Sequence, residues 1–457
     1  MQPVLTPAEM AHVDQEAPES LEVLVRRAAT AVASAAVHML GGTYGRRVAV
    51  VAGPGNNGAD GRVAAALLER RGVRCTVWSV DDAPAVLPPC DLVIDAAFGT
   101  GFRGSYVFPD VGGAPVLAVD VPSGVSGATG VVSGVPARAQ RTVTFAAWKP
   151  GLLLGDGPEL SGGVHVADIG LDVSAATAFV VEPADVAQWV GERRVDAHKW
   201  QHAVAVVAGS PGMTGAAVLT SMGALRSGAG YVRLSVPGST GPTPGVPLEV
   251  VEHRVAAADV AGVVAGLDRF ASVVVGPGLG RTSDAQRLVA GLVAQVDLPM
   301  VVDGDGLHHL GARELDLLAV RTAPTVLTPH DGEFAALTGA APGTDRIGAV
   351  RALARATGAV VLLKGPTTIA AKPSGVAYLV RSADQRLATA GTGDVLAGVL
   401  GALLALGGDP LEVAAAAAFI HGTAAMLGYR RGLIASDVAA LVPAAVEIFA
   451  DSVVDLG

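Results

Sequence analysis

The stretch Ala388-Thr389-Ala390-Gly391-Thr392-Gly393-Asp394-Val395-Leu396-Ala397-Gly398 decides how the second half of this chain is read. Two glycines bend the backbone directly before an apolar run, Val395 to Leu406, that stops at Gly407-Gly408 as helices commonly do. Asp394 is therefore expected at a helix start. Such a start leaves N–H groups unpaired and carries about half a positive charge, so Gly391, Thr392 and Gly393 can present donors to a phosphate. A carboxylate beside that anion is either a helix cap or a base that takes a proton from a hydroxyl attacking phosphorus.

Upstream of that turn, apolar runs at 203–208, 231–236, 272–275, 299–302, 325–327 and 360–363 read as buried strands. Helical stretches at 213–227, 284–296 and 347–357 separate many of them. Polar loops follow the strands: Gly209-Ser210, Gly276-Pro277-Gly278-Leu279-Gly280, Asp303-Gly304-Asp305, Thr328-Pro329-His330-Asp331-Gly332-Glu333 and Lys364-Gly365-Pro366-Thr367-Thr368. No G-x-x-x-x-G-K-[ST] occurs, so the phosphate site belongs at Gly391–Asp394 and not in a P-loop.

The first half opens with helices over residues 6–40, Thr6 and Glu9 forming a capping box. Strands are expected at 47–52, 75–80, 92–95, 116–120 and 142–145, with a helix at 62–71. Three polar loops follow strand ends: Gly53-Pro54-Gly55-Asn56-Asn57-Gly58-Ala59-Asp60-Gly61, Asp95-Ala96-Ala97-Phe98-Gly99-Thr100-Gly101-Phe102-Arg103-Gly104-Ser105, and Asp120-Val121-Pro122-Ser123-Gly124. The first formally matches G-x-G-x-x-G, with Asp81 and Asp82 where a ribose-binding acid would stand, so an ordinary dinucleotide fold is a rival. Asn56, Asn57 and Asp60 crowd that loop with side chains, and Asp60 would repel a pyrophosphate. Asn57, Asp95 and Ser123 offer hard oxygen ligands with one formal charge, which suits a monovalent cation better than Ca²⁺.

The chain has 457 residues, enough for two or three domains. It is 51% hydrophobic and 16% charged with 59 glycines, a balance that suits compact α/β domains. A net charge of −10 without a Lys/Arg run argues against nucleic-acid binding. Cys75 and Cys90 lie in apolar segments, which argues against a disulfide framework and fits a reduced cytoplasm. No signal-peptide pattern and no uninterrupted apolar run of spanning length is seen, so no membrane association is expected. Between 170 and 200 the pattern breaks into a linker with a short helix and the charge cluster Glu192-Arg193-Arg194, placing the boundary near Ala178.

From about Thr6 to Leu171 the chain resembles the NAD(P)HX epimerase family, through Gly53-Pro54-Gly55-Asn56-Asn57-Gly58, Asp95 to Gly101, Val119-Asp120-Val121-Pro122-Ser123-Gly124, and Thr142-Val143-Thr144-Phe145 with Lys149 and Gly151. The resemblance implies interconversion of R- and S-NAD(P)HX, nicotinamide nucleotides hydrated at C6. It makes Asn56, Asn57, Gly58, Ala59 and Asp60, then Gly99, Thr100, Gly101, Phe102, Arg103, Gly104 and Ser105, and Asp120, substrate positions. Asp120 is also the expected proton-handling residue, and Asn57, Asp95 and Ser123 match potassium ligands. Ala59 stands where the family usually has Gly, which would strain a site needing positive φ.

From His198 to about Ala440 the chain resembles the ribokinase-like superfamily and within it the ADP-dependent NAD(P)HX dehydratases. The match runs through His198-Lys199, Ala208-Gly209-Ser210, Gly276 to Gly280, Thr328-Pro329-His330 with Gly332-Glu333, Leu363-Lys364-Gly365, and Ala388 to Gly398. Ala216, Gly278, His330 and Asp394 then match hydrate-binding positions, with Asp394 catalytic. Lys364, Gly365, Pro366, Thr367, Thr368 and Gly393 match adenine-nucleotide positions, and Mg²⁺ is expected with ADP. His308 and Asp331 depart from the family's usual Asn and Pro.

These readings combine into an α/β chain of two doubly wound domains: a Rossmann-like three-layer epimerase domain over 1–178 and a ribokinase-like dehydratase domain over 179–457. The expected enzyme is cytoplasmic and homo-oligomeric, epimerises NAD(P)HX, and dehydrates the S form while ADP becomes AMP and phosphate. The alternative is a small-molecule kinase with a non-catalytic nucleotide-binding module at its N-terminus.

Overall fold

The structure is a computed structural model that describes residues 1–191, 195–311, 315–382 and 385–454. The Glu192-Arg193-Arg194 cluster lies outside the described residues. The chain divides into two compact units, Gln2–Phe179 and Val180–Gly457.

In the first unit, helices α1 (Pro7–Glu16) and α2 (Leu21–Leu40) precede the sheet, and α1 opens with the expected Thr6–Glu9 capping box. The strands are β1 (Arg47–Ala52), β2 (Arg74–Ser79), β3 (Leu92–Ala96), β4 (Val116–Val119), β5 (Arg141–Phe145) and β6 (Gly163–Ala167), in the order β2-β1-β3-β4-β5-β6. All their pairings are parallel. Alternation places Val48, Val50 and Ala52 of β1 in the core shared with α2, while Ala49 and Val51 pack on the other face with Leu87 and Phe108. Both faces being covered explains the continuous apolar runs.

Three details depart from expectation. Edge strand β2 is mostly exposed and not a buried strand. Strand β6, half-exposed and alternating, had no apolar run to reveal it. The helix expected at 62–71 begins at Asn56 as α3 (Asn56–Glu69), so the paired asparagines form its first turn and are not loop. Ala59 bonds through its N–H to the Gly55 carbonyl inside that turn, and only Asp120 and Ala146 have positive φ among described non-glycine residues. Alanine there carries no strain.

The second unit contributes β7 (Ala203–Val207), β8 (Tyr231–Ser235), β9 (Val250–Glu252), β10 (Ser272–Val275), β11 (Met300–Val302), β12 (Thr325–Leu327), β13 (Val360–Leu363), β14 (Thr368–Ala371) and β15 (Ala377–Val380). They run in the order β15-β14-β13-β12-β11-β10-β7-β8-β9, parallel from β7 to β13, with β14 and β15 added antiparallel. Thr368 thus opens a strand and is not loop.

Helices α4 (Gly215–Arg226), α5 (Asp305–Leu310), α6 (Asp331–Thr338), α7 (Thr392–Leu406) and α8 (Pro410–Leu427) surround the site described below. A Cβ on Gly398 of α7 would sit 2.0 Å from the Thr220 carbonyl oxygen of α4, so this pair packs backbone to backbone. Helices α2 and α8 are long and apolar enough to cross a membrane by length and composition alone, a pattern core helices share. Most of α8 is buried in its unit, from Leu411 through Ala425.

Each sheet reverses direction once in its strand order. In the first unit β1 lies between β2 and β3; in the second β7 lies between β8 and β10. Ligands of such sheets bind at the carboxyl ends of the strands beside that reversal.

Candidate active sites

In the first unit the loops after β1 and β3 meet at the reversal, where the Gly53 N–H bonds to the Ala96 carbonyl. Beside them opens a cavity of about 750 Å³. Of the expected substrate positions, Asn56, Asn57, Asp60, Gly99, Thr100, Gly101, Phe102, Arg103 and Asp120 line it. Gly58 and Ala59 turn into α3, and Gly104 and Ser105 are exposed without lining it. Stacking of Phe102 on Phe98, with ring centroids 4.1 Å apart, organises the second loop.

Asp120 stands at the end of β4 with φ 68°, a conformation L-residues hold only when their surroundings enforce it. Its Oδ2 accepts from the Thr100 N–H at 3.1 Å, and its Oδ1 accepts from Thr144 Oγ1 at 3.0 Å and lies 3.1 Å from Lys149 Nζ. Lys149 is 2% exposed and also donates to the Phe145 and Ala147 carbonyls. Burial alone would raise the Asp120 pKa, but Lys149 and these bonds outweigh it and hold the carboxyl below its usual range. In the sequence Lys149 stands only as part of a motif; its partner lies too far along the chain for any local pattern to reveal.

Deeper in, Asp95 and Ser123 are fully buried and bonded, the Ser123 N–H donating to Asp95 Oδ2 at 2.8 Å. Burial pushes Asp95 up to about 6, against the bonds from Ser123 and the Ala97 N–H. Asn57 has both polar side-chain atoms buried without a partner. An orphaned amide oxygen, a serine hydroxyl and a buried carboxyl with no cation nearby fit a weakly charged, oxygen-coordinated ion.

In the second unit the loops after β7 and β10 meet likewise. The Gly209 N–H bonds to the Pro277 carbonyl at 2.7 Å, and Ser210 Oγ donates to the Gly278 carbonyl at 3.1 Å. A Cβ on Gly278 would lie 2.8 Å from that of Ala216, so these two expected positions adjoin. Asp305 joins the group by accepting from the Gly280 N–H.

The quoted turn opens α7 with Gly391 as its N-cap at φ 91°, where glycine avoids the cost of a left-handed residue. Asp394 is the third residue inside the helix, not its cap. Thr392 ties the turn back, its hydroxyl donating to the Leu387 and Thr389 carbonyls and its N–H bonding to Thr389 at 3.4 Å. At this helix start the N–H groups of Gly391, Gly393 and Asp394 are left without a backbone partner among the described residues, whereas that of Thr392 has one.

Lys364, at the end of β13, reaches Asp303 Oδ1 at 2.8 Å and Glu333 Oε2 at 3.4 Å, and its Nζ lies 3.6 Å from where a Gly393 Cβ would be. Burial alone would lower its pKa; Asp303 and Glu333 reverse this and raise it. Burial pushes Asp394 up to about 7, with repulsion from Asp303 adding, Lys364 opposing, and Glu333 and Asp305 adding further. Asp303, Asp305 and Glu333 stand in the quoted loops without an assigned role; the clue was an acidic residue, Asp303, directly after a strand. His421 of α8, also missed, is pushed down to about 4 by burial, with the Thr392 backbone opposing and Lys364 adding. It is neutral.

His330 is the N-cap of α6: its Nδ1 accepts from the Gly332 and Glu333 N–H groups while Glu333 bonds back to the His330 N–H. Its ring remains largely exposed toward the same end of the sheet. Asp331, the departure from the usual proline, holds Arg346 through two bonds of 2.7 and 2.9 Å, and Arg346 lies against Gly365. Thr367 and Thr368 are buried.

A family model described as NAD(P)H-hydrate dehydratase matches residues 204–441, and one described as the YjeF-related protein N-terminus matches 21–86 and 79–151. The bifunctional NAD(P)H-hydrate repair enzyme Nnr of Mycobacterium leprae is 41% identical over 89% of each chain. The chain belongs to the bifunctional NAD(P)H-hydrate repair enzymes. The member from Mycobacterium tuberculosis is 40% identical over 86% of each chain. The crystal structure of the ADP/ATP-dependent NAD(P)H-hydrate dehydratase from Bacillus subtilis, co-crystallised with ATP/Mg²⁺, is 29% identical with a TM-score of 0.52, covering 59% of this chain and 97% of that one. As a member of this family the chain is an enzyme with an epimerase and a dehydratase activity. That reading prevails over a kinase with a non-catalytic N-terminal module.

Proposed function

We propose that Gln2–Phe179 is the epimerase and Val180–Gly457 the dehydratase, and that Asp394 is the base of the second reaction. The observation that carries this is a carboxyl raised to about 7 at a helix start whose free N–H groups and adjacent Lys364 suit a phosphate. Asp394 takes the proton from the C6 hydroxyl of S-NAD(P)HX as its oxygen attacks the β-phosphorus of ADP, and AMP leaves. The N–H groups of Gly393 and Asp394, with Lys364, receive the charge that develops on the transferring group. The C6–O bond then breaks, phosphate departs, and loss of a C5 proton restores NAD(P)H.

Ala216, Gly278 and the exposed edge of His330 form the hydrate side of this site. Lys364 to Thr368, with Arg346 against Gly365, form the nucleotide side. Among the described residues no group of three His, Cys, Asp or Glu is placed to hold a metal; Mg²⁺ would enter with the nucleotide and offset its phosphate charge. In the first unit Asn57, Asp95 and Ser123 would hold K⁺, which would answer the orphaned Asn57 amide and the uncompensated Asp95. A cytoplasmic homo-oligomer that binds neither nucleic acid nor membrane completes the reading.

The test is NADH formation from purified S hydrate with ADP or ATP. Asp394→Asn is expected to lower the ADP-dependent rate about 10²-fold or more. A wild-type rate in that variant removes Asp394 as the base, and a stable phosphorylated product without NADH makes the unit a kinase.

A further inference from the structure

The first cavity holds a second buried carboxyl in the opposite situation to Asp120. Asp60, in the opening turns of α3, is 6% exposed and lines the cavity. Among the described residues its carboxyl has no hydrogen bond and no ion pair, whereas Asp120 has three bonded groups around it. A buried carboxylate with nothing to compensate it is costly, so the group keeps its proton and presents it to the cavity.

The charged groups around it bear this out. The cavity's other charged residues are Asp14, Glu19, Arg103, Asp120 and Lys149. Lys149 is held on Asp120, and Arg103 is exposed at the rim. On α2, which packs against α3, Arg26 pairs with Glu22, Arg27 pairs with Glu19 and the Ile169 carbonyl, and His38 lies in the last turn. On α3 itself Arg62 donates to the Gly53 carbonyl. Lys149, Arg26, Arg27 and Arg62 are thus committed elsewhere, and no ion pair reaches Asp60 among the described residues. Burial first, then the charges of Asp120 and Asp14, push it up to about 8.

We propose that Asp60 is the general acid of the epimerisation and works against Asp120 as the base. The inference rests on reading this cavity as the epimerase site. At C6 of the hydrate the hydroxyl shares its carbon with ring nitrogen N1, so that nitrogen's lone pair can expel it once it is protonated. Asp60 gives its proton to the hydroxyl, the C6–O bond breaks, the N1 lone pair forms a C6=N1 bond, and water leaves. Water adds to the other face of C6, its proton goes to the Asp120 carboxylate, and the electron pair returns to N1. A proton passing from Asp120 to Asp60 through cavity water restores the starting state, and nothing is oxidised or reduced. Two carboxyls driven to opposite protonation states by their surroundings are the usual arrangement for acid and base roles.

The experiment uses the full-length enzyme without ADP and follows S hydrate appearing from purified R hydrate by chromatography. Wild type is expected to exceed the buffer rate and to slow above about pH 8, as the Asp60 proton is lost. Asp60→Asn is expected to fall about 10²-fold or more and to lack that limb. A variant as fast as wild type overturns the inference and leaves the epimerase reading standing. A wild type no faster than buffer overturns both. Should the variant melt early, the wild-type profile decides alone: a rate that holds unchanged above pH 8 overturns the assignment.

Discussion

On the proposed assignments, two helix starts carry the chemistry of this molecule and use one local plan to opposite ends. At Gly55–Asp60 and at Gly391–Asp394 a glycine N-cap opens a helix and an aspartate follows within its first turns, Asp60 buried and Asp394 half-buried, both raised in pKa. A helix start alone would favour the carboxylate form. In both places burial and like charges prevail. What separates the sites is the lysine. Lys149 is committed to Asp120 and leaves Asp60 uncompensated, so Asp60 rests as an acid. Lys364 is paired with Asp303 and Glu333 while its charge also reaches Asp394 and opposes the rise from burial, leaving that carboxyl at about 7, where it can serve as a base. The helix start supplies the place, and the nearest cation decides the role.

The largest effect is expected from breaking the first of these lysine contacts. Lys149→Met leaves Asp120 buried without its counter-charge and should cost roughly 3–5 kcal/mol in the unfolding free energy of that unit, measured by denaturant titration. Stability unchanged by that substitution would mean the pair does not set the contrast between Asp120 and Asp60. A smaller change is expected at the second site. Asp303→Asn removes the strongest charge repelling Asp394, so its pKa falls and the acid limb of S-hydrate dehydration moves to lower pH. The sign is fixed because the base must be deprotonated; a limb that moves up contradicts the assignment. The smallest is Thr6→Ala, outside both sites, which removes the α1 capping box and should cost about 0.5–2 kcal/mol in thermal unfolding without changing the ratio of the two activities.

Much of this was legible in the sequence where one physical signal dominated. Strands 272–275, 325–327 and 360–363 are buried on both faces, and their continuous apolar runs gave their limits. The hairpin of β14 and β15 was missed because its short runs flank Lys372-Pro373-Ser374-Gly375, which resembles an ordinary connection. The start of α3 was hidden by glycines that blur helical periodicity. In the sites, the polar loops that follow strands were legible from their chemistry, and the resemblance to the two families supplied the roles of their residues. The pairings were not legible: Lys149 meets Asp120 and Lys364 meets Asp303 only because parallel strands bring distant segments to one end of a sheet.

The contrast between the two helix starts is tested most directly by the pH dependence of both half-reactions in one preparation of intact enzyme. Epimerisation of R hydrate is measured without ADP, and dehydration of S hydrate with it, each as kcat/KM. The expected result is two opposite limbs: dehydration rising through about pH 7 as Asp394 loses its proton, and epimerisation falling above about pH 8 as Asp60 loses its own. Limbs of the same sign, or profiles flat across that range, would contradict it.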